Sequence, residues 1–563
     1  MTPTATARRE VSARELLGLI AGAVALAVVM TWPLVLHLGQ HIPKDLTDPL
    51  PQAWQVAWGG HALTHQPLSF FQSNQFWPLE DTLAFSDALL GYAPTGLIGS
   101  GPEAAVARYD ILFILSYALC FVGGYLLARE LGLGPAGAAV AGAAFAFAPF
   151  RLEQDRHMQV ISSGGIPIAI AIALRGYRLR SAWWVFAGFA VAAWQFSIGP
   201  TLGLPFTYLL CLLGLTAAVV WLRRGRPTLP RGMVWATLAG VALYVAVVAI
   251  IAQPYVRVSH DQPDAERPPS RVEPFSGPAT ALVLAPRESV VWGDATSGIF
   301  DSVENPGEKT LIPGVVILAL AITGLAAGPF DGRLRMGLAA GVVGFYVLAL
   351  GFQESGGLLW PYRVAYETLP GWDGMRTPGR LVTFASLGLA MLAGAGAGAL
   401  VARRGRSLRA RPAAAVAAGL VLAIAIEGRG LPFDPTHARA QPSVPAPPLD
   451  GSDVPAPQLY LPAETADENR RYVLWSTDGF PALVNGRSSV EPAWTANLVD
   501  SMDRFPDRRS VERLRRVGVR SVIIDLELAA GTPLQDARAR SITGLRIDRE
   551  RRGGALVYDL EPG

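Results

Sequence analysis

The sequence predicts a polytopic α-helical membrane protein with a small C-terminal α/β domain outside the membrane. Three observations predict it. Hydrophobic residues make up 51% of the 563 residues and charged residues only 17%, against about 25% charged in a typical soluble protein. The apolar residues gather in about eleven runs of membrane-spanning character. The arginines sort by loop, falling in every second connection.

The eleven runs lie at about 15–36, 109–128, 136–150, 158–174, 182–198, 201–222, 233–252, 311–328, 335–352, 380–402 and 412–427. The third and last are short, and Ile198-Gly199-Pro200 separates the fifth from the sixth. Arg8, Arg9 and Arg14 precede the first run, which lacks a small-residue cleavage site, so it reads as an uncleaved anchor. With the N-terminus in the cytoplasm, the inside loops hold eighteen arginines against four acids (Glu10, Glu15, Glu130 and Asp331). The remainder holds 30 basic and 41 acidic residues, so a formal net charge of +3 is the cancellation of two opposed faces. An odd number of spans puts the C-terminus outside. The expected location is the cytoplasmic membrane of a bacterium. All basic side chains except Lys44 and Lys309 are arginine, which fits a GC-rich genome. Cys120 and Cys211 sit in apolar runs and imply no disulfide framework.

Two domains are expected: a membrane domain over 1–427, with outer loops 37–108 and 253–310, and an α/β domain over 428–563. Within the first outer loop, Gln52–Leu63 carries a helical pattern, and Trp54, Trp58 and Trp77 fit an interfacial aromatic belt. The tail opens on a Pro/Ala-rich linker, Gln441–Pro457. Strand-like runs follow at Arg471–Trp475 and Arg520–Asp525, with a helical stretch at Ser510–Val517 between them. Asp548–Leu560 reads as a hairpin around Gly553-Gly554.

All the large polar segments lie outside, which argues against chemistry on cytoplasmic nucleotides. No GxxxxGK[ST] loop, HExxH motif or nucleophile elbow is present, and no nucleic-acid partner is indicated. The motifs that could carry chemistry are polar clusters in the outer loops. Asp48 precedes Pro49, and its local reading is a helix cap with Pro in the first turn. A carboxylate fixed at a helix start can also act as a general base, with Asp45 as the second candidate. The second outer turn, Pro149 to Gln159, packs Arg151, Glu153, Asp155, Arg156 and His157 between apolar runs. Such clusters are either structural pairs or sites, and arginine forks suit phosphate oxygens. Arg376 and Arg380 stand on a short outside segment, against the charge trend. They snorkel at the interface or bind an anionic head group. Arg257 is a weaker member of that set. The seven histidines are scattered, and the sequence leaves a divalent metal ion open.

These residues resemble a family. Asp48-Pro49, Trp54, Trp58, His61-Ala62-Leu63, Asn74, Phe76-Trp77-Pro78, Asp87 and Leu90-Gly91 resemble the first outer loop of large bacterial membrane proteins with a GT-C glycosyltransferase fold. Pro149-Phe150-Arg151 with His157-Met158-Gln159 resembles their second outer turn, and Met375-Arg376-Thr377-Pro378-Gly379-Arg380 their approach to a late span. Trp475-Ser476-Thr477, Leu483-Val484-Asn485-Gly486 and Gly518-Val519 resemble their tail. The resemblance implies transfer of a sugar from a polyprenyl-phosphate donor to a glycan, lipid or protein acceptor at the outer face, with inversion and a base in the first loop. It points to Asp48. Better-known members show an adjacent acidic pair there, whereas Asp45 and Asp48 are spaced apart. Arg151, Arg156, His157, Arg376 and Arg380 would hold the donor phosphate. Trp54, Asn74, Asp87 and Gln159 would contact donor or acceptor. Two other classes stay in view: a lipid or solute transporter, which buried charge would suit, and a non-catalytic envelope scaffold.

Overall fold

A computed structural model describes residues 10–225, 228–353, 357, 359–405, 410–430 and 441–561. Arg8, Arg9, Arg226, Arg406 and Arg409 of the inside-loop set lie outside the described residues. A helix stands at each of the eleven expected positions. Among the described residues, seven helices are long and apolar enough to cross a membrane, from Ala13–Met30 to Pro378–Ala402. An eighth crossing is reached if Pro135–Ala146 and Pro149–Arg156, bent by 44°, count as one broken span. Ala182–Ile198, Val315–Ala327 and Ala413–Glu427 are shorter apolar helices. The chain forms two compact units, each discontinuous in sequence.

The helical unit comprises 1–35, 112–250 and 267–440. Its central helix, Val382–Gly405, carries the run Ala393-Gly394-Ala395-Gly396-Ala397-Gly398. The missing side chains let neighbouring backbones close in, which matters because lipid gives apolar helices little reason to associate with one another. A Cβ on Gly396 would overlap the Leu320 carbonyl, and one on Gly324 would overlap the Leu392 carbonyl. A Cβ on Gly394 would stand 2.6 Å from the Gly137 carbonyl oxygen. The buried Glu427 carboxylate accepts from the Val316 N–H at 3.0 Å, from Val315 N–H and from Trp292 Nε1 at 3.0 Å. It thereby satisfies orphan donors at the start of Val315–Ala327, where an anion is favoured.

The sheet unit comprises 36–111, 251–266 and 441–563. Its four strands are β1 (Gln458–Leu461), β2 (Ser521–Asp525), β3 (Asp548–Arg552) and β4 (Ala555–Asp559), in the order β1-β2-β4-β3. β1 runs parallel to β2, and the other pairs are antiparallel, with Ile523 opposite Val557 and Val557 opposite Glu550. The β3–β4 turn needs positive φ, which Gly553 supplies at +56°. β3 is an edge strand of sequence Asp-Arg-Glu-Arg-Arg, and its charges oppose pairing with another chain. Arg508–Val517 is helical as expected.

Three expectations are corrected here. Arg471–Trp475 is the end of a helix, Ala466–Trp475, not a strand. Thr465 and Glu468 form a reciprocal capping box at its start, which outweighs the strand preference of the aromatic and β-branched residues. The missing strand is β1, directly after the linker. The aromatic-belt reading also fails, because Trp54 and Trp58 are 0% and 2% exposed in the sheet unit's core. There they pack with Leu459, Tyr472, Leu483 and Ile523. Finally, helix Pro49–His65 starts where expected, but the Asp48 side chain does not cap it. Asp48 already has helical backbone angles (φ −63°, ψ −27°), so its carboxylate is not aimed at the first-turn N–H groups.

The first long loop and the tail fold as one body. Segment 482–485 flanks β1: Gln458 N–H donates to Ala482 O at 2.8 Å, and Val484 N–H to Gln458 O at 2.9 Å. The Asn485 amide completes the pairing, accepting from Tyr460 N–H at 2.7 Å and donating to Tyr460 O at 3.0 Å. Residues 74–77 then add to 483–485 through Leu483 N–H to Asn74 O (2.7 Å), Trp77 N–H to Leu483 O (2.9 Å) and Phe76 N–H to Asn485 O (3.1 Å).

Candidate functional site

The sequence-predicted residues divide between the two units. In the sheet unit, Asp45 and Asp48 bracket a tight bend before helix Pro49–His65. Asp45 accepts from Thr47 N–H at 2.9 Å and from the Thr47 hydroxyl, so it holds the bend. Asp48 is half-buried, and its carbonyl accepts from Gln52 N–H at 3.2 Å. Two expected contact residues are spent internally. Trp54 donates from Nε1 to Asn74 Oδ1 at 3.0 Å. Asn74 donates to Ser476 Oγ at 3.0 Å and to Pro481 O at 2.8 Å. Asp87 is half-buried, and the carbonyl of its neighbour Ser86 accepts from the Tyr255 hydroxyl at 2.8 Å. Arg257 makes a two-pronged pair with Asp81, at 2.6 and 3.0 Å.

The helical unit gathers the cationic set from three distant segments. Pro149–Arg156 forms one wall, Pro306–Lys309 the second and Pro378–Leu381 the third. Proline opens each of them and presets φ for a helical turn. At their junction lies Glu308. Its Oε1 receives Arg380 Nη2 at 2.6 Å, and its Oε2 receives Arg380 Nε at 3.2 Å. His157 Nε2 faces Glu308 Oε1 at 3.4 Å, while His157 Nδ1 lies 3.1 Å from Gln154 Oε1. The side chains of Arg380, His157 and Glu308 are 8%, 7% and 14% exposed. Burial alone would raise the Glu308 carboxyl. The charges of Arg380 and His157, the Arg380 hydrogen bonds and the field of Arg376 outweigh it, and hold the group at about 2 instead of 4.5.

The other expected cations differ in setting. Arg376 is half-buried, with its guanidinium over the Phe275 ring at 5.1 Å. Arg156 pairs with Glu153 at 2.8 Å and keeps a third of its side chain exposed. Arg151 is 1% exposed and braces the turn from within. It donates to Phe145 O at 2.7 Å and Ser163 Oγ at 2.9 Å, with its charge over the Phe145 and Phe150 rings. Gln159 is buried just beyond the turn. The structure thus joins His157 and Arg380 through Glu308, with Arg376 acting on it by charge, and gives Arg151 and Arg156 separate partners.

Two residues escaped the sequence reading. Glu308 is one of nine acids between 253 and 310, and no local pattern separates it from the rest. Arg267 stands in a Pro-rich stretch, where no spacing marks it. Burial, then the neighbouring charges of Arg376 and Arg271, bring its guanidinium from 12.5 down to about 10. Its carbonyl accepts from the Tyr366 hydroxyl at 2.7 Å. A crowd of arginines near Arg376 was foreseeable only as a rise in local positive charge.

No known family profile and no curated relative matches the chain. Solved structures do. The arabinofuranosyltransferase AftD from Mycobacteria is similar at 15% identity and a TM-score of 0.52, over 98% of this chain and 42% of that one. The chain therefore spans about two fifths of AftD. ArnT from Cupriavidus metallidurans, solved bound to undecaprenyl phosphate, is similar at 14% identity and a TM-score of 0.48, over 97% of this chain and 99% of that one. An oligosaccharyltransferase from Archaeoglobus fulgidus is similar at 13% identity and a TM-score of 0.43, over 93% and 71% of the two chains. The chain has the fold of GT-C glycosyltransferases.

Proposed function

We propose that this multi-pass protein is a glycosyltransferase that moves a sugar from a polyprenyl-phosphate donor to an acceptor hydroxyl. The observation that supports the reading most is the fold, shared with AftD over 98% of this chain. The cationic set around Glu308 adds a chemical reason, because it suits a phosphate leaving group.

In this reading Asp48 acts as general base. Its carboxylate takes the proton from the acceptor hydroxyl as the oxygen forms a bond to the anomeric carbon. The bond from that carbon to the phosphate oxygen breaks on the opposite face, and polyprenyl phosphate departs with the electron pair. Configuration inverts. Phosphate leaves readily, so no strong general acid is needed. Arg376, Arg380 and His157 stabilise its charge, with Arg156 at the rim. Donors preorganised at developing charge contribute a few kcal/mol each. Arg151, fully buried, keeps the second turn in shape. Apolar helices hold the lipid tail. The sheet unit presents the acceptor, a glycan, lipid or protein.

The test is donor consumption by purified protein in nanodiscs, against a panel of polyprenyl-phosphate sugars. Asp48→Asn should lower turnover by about 10²–10⁴-fold, the range of general base catalysis, with unchanged yield and melting temperature. Equal turnover in both proteins removes Asp48 as the base and moves the test to Asp45. No consumption of any donor by the wild type overturns the transferase reading.

A further inference from the structure

Glu308 lies outside the sequence-predicted set, yet it ties two members of that set together. Its carboxylate takes the Nε–Nη2 edge of Arg380 in a two-pronged bond, so the planar guanidinium is fixed with its opposite edge turned away from the acid. The same oxygen that meets Nη2 faces His157 Nε2 at 3.4 Å. One carboxylate therefore orients an arginine and a histidine from segments more than two hundred residues apart in the chain.

The backbone around Glu308 has little room to move. A Cβ on Gly379 would overlap the Glu308 carbonyl, and one on Gly307 would stand 2.6 Å from Glu153 Oε1. Glu153 is itself held by Arg156 at 2.8 Å. Glu308 carries one negative charge, and the positive charges of Arg380 and Arg376 both act on it. A seat built this way binds an anion without first ordering a long arginine side chain, whose loss of rotamer freedom otherwise weakens binding.

We propose that Glu308 is a positioning residue that fixes Arg380 and His157 as a preorganised seat for the phosphate of a lipid-linked donor. The proposal deepens the transferase reading and rests on it for the sugar, while the lipid-phosphate part is measured separately. The probes are undecaprenyl phosphate and the uncharged undecaprenol, offered to the full chain in nanodiscs, together with donor kinetics. Wild type should prefer the phosphate to the alcohol. Glu308→Gln should weaken undecaprenyl phosphate binding at least tenfold and raise donor KM by a similar factor, with kcat within about threefold, as expected for lost ground-state and transition-state binding alike. Should that variant fail to fold, the exchange Glu308→Arg with Arg380→Glu keeps the pair and reverses its direction. A folded exchange variant with tenfold weaker phosphate binding supports the seat. One with wild-type binding overturns it, as does unchanged binding in Glu308→Gln or a wild type indifferent to phosphate. A wild type that prefers the phosphate, loses that preference in Glu308→Gln, and yet consumes no donor would leave the seat standing and remove the transferase.

Discussion

The two units solve opposite packing problems. The sheet unit buries large apolar side chains around a small sheet, with Trp54, Tyr472, Phe505, Ile523 and Tyr558 at its centre. Water drives that burial, at about 25 cal/mol per Å² of apolar surface. Its buried polar groups include neutral amides tied to the backbone, as at Asn485. The helical unit has no such driving force between its spans. It relies on glycines that admit backbone contact and on charges placed at helix ends, where they find partners. Arg129 meets Glu15 at 2.9 Å, Arg178 meets Glu130 at 2.9 Å, and Glu308 meets Arg380 at 2.6 Å. Small residues and ion pairs thus do in one unit what bulk does in the other.

The largest effect should come from enlarging a glycine in the helical unit. Gly396→Leu places a side chain against the Leu320 carbonyl and should abolish monodisperse protein in detergent, whereas a leucine on the open Gly398 face should be tolerated. Size-exclusion profiles of the two variants decide it, and a well-behaved Gly396→Leu would break the comparison. In the sheet unit the sensitive change runs the other way. Phe505→Ala empties a site packed edge-on against Tyr558, at a centroid distance of 5.0 Å, and should cost about 3–5 kcal/mol. The readout is faster proteolysis within 441–563, with helical spans still protected.

A smaller effect should follow from Asn485→Ala, which leaves the Tyr460 N–H and carbonyl without their partner. Leaving buried backbone groups unsatisfied costs about 1–3 kcal/mol. A modest drop in melting temperature is expected, and none at all would show that water replaces the amide. The mildest test is acid. Folding lowers the Glu308 carboxyl from 4.5 to about 2, so its contribution to stability is complete above pH 4.5 and is lost as pH falls towards 2. The shift corresponds to a few kcal/mol at most. Wild type should therefore lose thermal stability relative to Glu308→Gln between those pH values, and parallel curves would contradict the ion-pair account.

Hydropathy sufficed to put a helix at each of eleven positions, because the length of an apolar run is a local property. The hairpin at Gly553 and the helix before Gly518 were legible for the same reason, through turn and cap chemistry. The strand–helix exchange at Arg471–Trp475 was not, since a capping box and tertiary burial outweighed local preference.

The site was legible in part. Asp48 is a candidate base by its proline neighbour, and Arg376 and Arg380 are candidate phosphate ligands by standing against the charge trend, roles that belong to the proposal. That Trp54 and Asn74 serve the core, and that Arg151 braces its own turn, depended on packing. Sequence alone determined a membrane-spanning helical chain with polar loops rich in arginine, because those features are written residue by residue. Only the tertiary structure decided which of nine acids meets Arg380 and His157. That choice is made by three proline-started turns closing on one another, at separations that no local pattern records.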